Sequence, residues 1–169
     1  MTRVILALIA ASAVAALASA TSAMADPVLI THWDTGQLVN ALQSLGATDI
    51  HVGELGGKPA VTARTRDGLS IGLFAKGCEP AAPLVCHSIE GAITYDASQK
   101  SDRAALANQL NHDYALGKFM AETDGAIRGS RYFMLDGGVT EDNLKAELNG
   151  FFTVGGLASR AIWQPASAR

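Results

Sequence analysis

Asp49-Ile50-His51-Val52-Gly53-Glu54-Leu55-Gly56-Gly57-Lys58-Pro59-Ala60-Val61-Thr62-Ala63-Arg64-Thr65-Arg66-Asp67-Gly68-Leu69-Ser70-Ile71-Gly72-Leu73-Phe74-Ala75 is the stretch that decides the fold. Gly56-Gly57-Lys58-Pro59 and Arg66-Asp67-Gly68 separate short runs rich in Val, Ile, Leu and Thr, and such punctuation marks hairpin turns. Ile50–Val52, Val61–Arg64 and Leu69–Ala75 therefore read as three antiparallel strands. A fourth, Val85–Tyr95, crosses back after a turn flanked by cysteines.

Working outward, helical periodicity replaces alternation on both sides. Upstream, Asp34 or Thr35 can cap a helix whose Leu38, Ala41, Leu42 and Leu45 recur on one face, and Gly46 ends it. Downstream, Ser101 is the expected N-cap of a second helix running to about Tyr114, with Asp102 in its positive first turn. Gly117–Glu122 and Ile127–Leu135 follow as two strands joined at Thr123-Asp124-Gly125. Thr140 then caps a long last helix with the stripe Leu144, Leu148, Phe151, Gly155, Ala158 and Ile162. Gly155-Gly156 weakens that helix unless another element packs closely there. The expected order is α-ββββ-α-ββ-α: an α+β domain with a single antiparallel sheet and flanking helices on one face.

The two ends set the compartment. Arg3 precedes an apolar segment, Val4–Ala18, and Ala23-Met24-Ala25 stands before Asp26-Pro27, the small-x-small pattern of a signal peptidase site. Residues 1–25 are expected to be a cleaved Sec-type signal peptide, with cleavage between Ala25 and Asp26 and a periplasmic or secreted product. The apolar run is shorter than the roughly 20 residues of a transmembrane helix, so no stable membrane anchor is expected. Residues 26–163 would form the domain, and residues 164–169 a flexible tail.

The chain has 13 basic and 16 acidic residues, a formal −3, and loss of Arg3 with the signal would make it −4. No basic stripe with interleaved aromatics occurs, which argues against nucleic acid as a partner. Cys78 and Cys86, the two cysteines of the chain, are expected to form a disulfide in an oxidising compartment. Their spacing is not that of a C-x-x-C redox motif. A metal site built on His87 would need further ligands that the scattered histidines do not offer, and no cofactor is expected.

Several motifs suggest chemistry without supplying its context. Gly68-Leu69-Ser70-Ile71-Gly72 matches G-x-S-x-G, but a nucleophilic serine needs a strand-to-helix turn, and Ser70 falls inside an expected strand. Gly53-Glu54-Leu55-Gly56-Gly57-Lys58 is one residue short of a phosphate loop, and Pro59 replaces the hydroxyl residue. His112 and Asp113 are adjacent on a helix, about 100° apart, and read as two solvated residues rather than a dyad. Asn108 and Asn111 lie three apart on one helix flank. Asn111, expected to be half-buried, should satisfy backbone groups of the adjoining strand or loop, a ligand role being the alternative.

The block Asn108-Gln109-Leu110-Asn111, the strand pair after it, and Asp136-Gly137-Gly138-Val139-Thr140 leading into an amphipathic helix together resemble the YbjN-type family of bacterial sensory transduction regulators. Leu45-Gly46, closing a first helix before a strand meander, fits the same pattern; Leu110 stands where the family usually has Trp. The resemblance implies a fold like that of type III secretion chaperones; it assigns no functional residue, and Asn108, Asn111, His112 and Asp136 are the candidate structural or partner-facing positions. It also implies a non-enzymatic module that binds a protein partner or a second copy of itself. The alternatives are a small envelope hydrolase using Ser70 and a module for a small ligand of unspecified chemistry.

Overall fold

The computed structural model describes residues 28–80 and 82–163, so residues 1–25, expected to be a signal peptide, the expected Ala25–Asp26 cleavage junction and residues 164–169, expected to be a tail, lie outside the described residues. In chain order the elements are β1 (Leu29–Ile30), α1 (Thr35–Ser44), β2 (Thr48–Leu55), β3 (Lys58–Arg64), β4 (Ser70–Cys78), β5 (Cys86–Asp96), α2 (Arg103–Asp113), β6 (Lys118–Ala121), β7 (Ala126–Met134), β8 (Val139–Thr140) and α3 (Glu141–Trp163). The fold is α+β, and its main sheet is an open, six-stranded antiparallel one in the order β2-β3-β4-β5-β7-β6.

Local chemistry explains the boundaries. Leu55 pairs with Lys58, so Gly56 and Gly57 form a two-residue hairpin loop, and both adopt positive φ, +60° and +73°. This is the left-handed geometry that a tight hairpin of matching twist requires, and it accounts for the glycines that mimic a phosphate loop. Asp34 Oδ1 accepts from the Gln37 amide at 2.9 Å and starts α1. Thr140 Oγ1 accepts from the Asn143 amide at 3.2 Å at the head of α3. The second helix departs from expectation by one residue: Asp102, not Ser101, is its N-cap, its Oδ1 accepting from the Ala105 amide at 3.0 Å.

A second departure is a small extra sheet. Leu29 pairs with Thr140 and Ile30 with Val139, which adds β1 and β8 to the expected order and makes two sheets among the described residues where one is expected. Two-residue strands carry no periodicity, so only the fold reveals them.

Alternation along the strands divides the main sheet into two faces. Val61, Leu73, Ile71, Ile93, Ile89 and Ile127 point to one side and are buried with Leu38 and Leu42 of α1, Leu110 of α2, and Leu148 and Ile162 of α3 in one cluster. All three helices thus cover the same face. The closest approach is at Gly155: a Cβ built there would overlap Ile93 Cδ1 and come within 3.3 Å of Leu69 Cδ1. The Tyr95 hydroxyl donates to the Gly155 carbonyl at 3.0 Å, so β5 and α3 are joined by both packing and a buried hydrogen bond. The glycine that weakens the helix is the one that lets it dock.

Candidate functional site

The residues of opposite parity build the other face of the sheet. On β3, β4, β5 and β7 these are mostly small: Ala60, Thr62, Gly72, Ala92, Thr94 and Ser130. Ala60 and Ala92 are buried but lie outside the main core cluster, sheltered by neighbours on their own face. Over Thr62, Gly72, Ala92 and Thr94 opens a hollow of about 560 Å³, whose walls include Arg64, Ser70, Phe74 and Arg128. Gly72 is part of the reason for its shape. A Cβ at Gly72 would come 2.5 Å from Phe74 Cζ, so the ring lies back along its own strand instead of standing off the sheet.

One row crosses the middle of this face. Phe74 of β4 is directly opposite Glu90 of β5, which is in turn opposite Tyr132 of β7. Charges reach Glu90 from both sides: Lys76, one same-face position along β4 from Phe74, places Nζ 2.8 Å from Oε2, and Arg128, two same-face positions along β7 from Tyr132, places Nη2 2.7 Å from Oε1. Burial opposes ionisation of Glu90, but the Lys76 hydrogen bond and the charges of Arg128 and Lys76 outweigh it and hold the carboxyl below its usual range. Glu90 is therefore an anion pinned by two cations. Arg128 has donor capacity left, since its buried Nε has no hydrogen-bond partner among the described residues.

Tyr132, at the end of the row, and Met134, next along the same face of β7, are 52% and 56% exposed. The Tyr132 hydroxyl accepts from Ser88 Oγ at 2.9 Å, which steadies the ring while its face stays accessible. Met120, on the edge strand β6, is also exposed on this face, opposite Arg128. Aromatic and methionine side chains held in the open beside fixed charges are characteristic of a recognition surface.

The residues singled out in the sequence are not gathered at this face, Ser70 excepted. Ser70 opens β4, pairs with Arg64, and lines the hollow. His87 lies on the neighbouring strand about seven residues further along the sheet, roughly 23 Å at strand rise, out of reach as a base for Ser70. His112 is on α2 and exposed. Its Nδ1 lies 3.1 Å from Asp113 Oδ1, which corrects the expectation that the two point apart; long side chains on adjacent helix positions can lean together at the surface. Asn108 is exposed on the same helix. Asn111 is exposed rather than half-buried, yet its amide closes a two-bond bracket on β6: Nδ2 donates to the Phe119 carbonyl at 2.9 Å, and the Phe119 amide donates to Oδ1 at 2.7 Å.

At the far end of the sheet Cys78 and Cys86 are opposite each other in the β4–β5 ladder and form the disulfide. Beside it His87 bridges two carboxylates, with Nε2 3.1 Å from Glu79 Oε1 and Nδ1 3.0 Å from Asp136 Oδ1. The Glu79 hydrogen bond raises the His87 pKa above the ordinary imidazole value, partial desolvation opposes it, and the Asp136 charge adds to the rise. Asp136 thus belongs to this clamp. No single residue of the linear sequence marks out the Phe74–Glu90–Tyr132 row and its cations, because each residue is ordinary in its own strand. The signal was the alternation itself, in which Ser70, Gly72, Phe74 and Lys76, and Ser88, Glu90, Ala92 and Thr94, are the small and polar halves of strands whose other halves are apolar.

Among the described residues no helix is long and apolar enough to cross a membrane. A family model named YbjN, with the description "Putative bacterial sensory transduction regulator", matches residues 4–155. No curated protein gives a significant match to the chain.

Proposed function

The chain belongs to the YbjN family, and from that premise we propose that it is a non-enzymatic regulatory module that works by binding another protein on the open face of its sheet. The observation that carries this reading is that all three helices pack on one face, while the other presents Tyr132 and Met134 more than half exposed beside a hollow of about 560 Å³. A sheet face that a domain leaves free, with aromatic and thioether groups over fixed charges, has the composition of a protein-binding patch. The family is described as one of regulators, which accords with a role exercised through partners.

The module acts outside the cytoplasm, after loss of residues 1–25. The signal-like N-terminus supports this, and the Cys78–Cys86 bond is in keeping with an oxidising space. N-terminal sequencing of the protein recovered from the cell envelope should begin at Asp26; recovery of the intact chain from the cytosol with reduced thiols would refute export.

Photo-cross-linking tests the binding reading. A benzophenone side chain at Met134 should give one reproducible protein adduct in the native host, and the same group at Ala146, exposed on α3, should not. Equal adducts from both positions, or none from Met134, would remove the open face as the binding surface.

A further inference from the structure

Charge on this protein is segregated. Acids outnumber bases over the whole chain, 16 to 13. Yet Lys58, Arg64, Lys76, Lys118 and Arg128 all stand on the open face by strand parity, against Asp96, Glu90, Glu122 and the hollow-lining Asp49. This face therefore carries a small positive surplus, while acids outnumber bases over the rest of the chain. Its two guanidiniums are also incompletely used. Arg64 meets Asp49 through Nε at 3.5 Å, both side chains more than half exposed, and donates from Nη1 to the Gly68 carbonyl at 3.3 Å, which leaves further N–H groups for a ligand. Arg128 gives Nη2 to Glu90 and keeps a buried Nε without a partner among the described residues.

These two arginines flank the hollow in an ordered way. Arg64 pairs with Ser70 at the end of the β3–β4 ladder, and Arg128 pairs with Thr94 on the far side. Ser70 and Thr94 sit at the same end of the β4–β5 ladder, just beyond the Ile71–Ile93 pair. The result is a row of guanidinium, hydroxyl, hydroxyl and guanidinium over a floor of Gly72 and Ala92. Three strand spacings separate the outer backbones, about 14 Å. Such a row offers N–H and O–H donors to carboxylates, and little to a cation.

Resting on the reading of the open face as the binding surface, we propose that its partner is an acidic, extended protein segment. Carboxylates of that segment enter the hollow between Arg64 and Arg128, while its apolar side chains lie on Tyr132 and Met134. A nucleic acid strand fits less well. Glu90 stands between Phe74 and Tyr132 in the central row, so the two rings cannot serve as adjacent stacking platforms without bringing phosphates or base edges past a fixed carboxylate.

The test is fluorescence anisotropy on the disulfide-closed protein, using labelled short peptides of alternating Glu and Leu, Gln and Leu, or Lys and Leu, with an oligothymidylate as competitor. The Glu–Leu peptide should bind, the Gln–Leu peptide at least about tenfold more weakly, and added salt should narrow the difference. Arg64→Glu, at an exposed position, should weaken Glu–Leu binding about tenfold without moving the melting temperature. Equal binding of the Glu–Leu and Gln–Leu peptides, or no effect of Arg64→Glu, overturns the acidic partner; the Met134 cross-link then decides separately whether the open face still binds protein. Displacement of the Glu–Leu peptide by oligothymidylate overturns it in favour of nucleic acid. Absence of binding by every peptide overturns it too, with the same cross-link deciding the fate of the face.

Discussion

Replacing Gly155 by Ala is the sharpest test of how the helical layer meets the sheet. In an exposed helix the change would stabilise by about 1 kcal/mol, because Ala is the better helix former. Here the new methyl would overlap Ile93 Cδ1 and press toward Leu69 Cδ1 at 3.3 Å, and it would strain the Tyr95 hydroxyl bond to the Gly155 carbonyl at 3.0 Å. Overpacking of this kind costs about 1 to 3 kcal/mol, so the net expected loss, after the gain in helix propensity, is roughly 0 to 2 kcal/mol. The clash resides in a single terminal atom, and Ile93→Val deletes that atom at a cost of about 0.5 to 1.5 kcal/mol by itself. In the Ile93→Val background, Gly155→Ala should therefore become neutral or stabilising by up to about 1 kcal/mol, a coupling between the sites of about 2 kcal/mol. Urea unfolding of the four proteins, disulfide intact and followed by far-UV circular dichroism, measures each corner of the cycle. If Gly155→Ala were stabilising beside Ile93, or if the two losses simply added, the account of α3 docking through this glycine would be wrong.

Three further outcomes follow from the same contacts. Asn111→Ala removes both bonds to the Phe119 backbone and should cost about 1 to 3 kcal/mol, with faster hydrogen exchange at the Phe119 amide as its local mark; unchanged exchange there would show the bracket to be idle. Reducing the Cys78–Cys86 bond, which spans a sequence separation of 8, should lower stability by about 2.5 kcal/mol on the chain-entropy model, and a midpoint that ignores reductant would contradict this. His87, whose pKa is raised in the folded state by Glu79 and Asp136, should contribute its full stabilisation below the unfolded imidazole value and lose it as pH climbs through the higher folded one. The gap in melting temperature between the native protein and His87→Gln should accordingly be widest near pH 5 and shrink by about pH 8; a gap that grows with pH would mean that the clamp does not depend on the imidazolium.

Elements carried by short-range chemistry were legible without coordinates. The hairpins at Gly56-Gly57 and Asp124-Gly125, the Asp34 and Thr140 caps, and the buried stripe from Leu144 to Ile162 follow from turn geometry, side-chain oxygens and the helical period. The one-residue slip from Ser101 to Asp102 shows where such reasoning loses resolution, since two good capping residues in succession differ only in which oxygen reaches the amide of the third residue onward. The pairing of β1 with β8 was out of reach, because two residues cannot display a period and their partners lie over a hundred positions apart.

The open face depended on the third dimension altogether. Alternation states that Phe74, Glu90 and Tyr132 share the polar sides of their strands, but register alone sets them in one row, and helix packing alone leaves that row uncovered. The His87 clamp arises likewise, from chain segments brought together only when β5 meets the turn after β7. Local propensity acts through neighbours along the chain and can be read there; a binding surface is made of distant residues whose meeting is decided by how strands align and which side the helices bury.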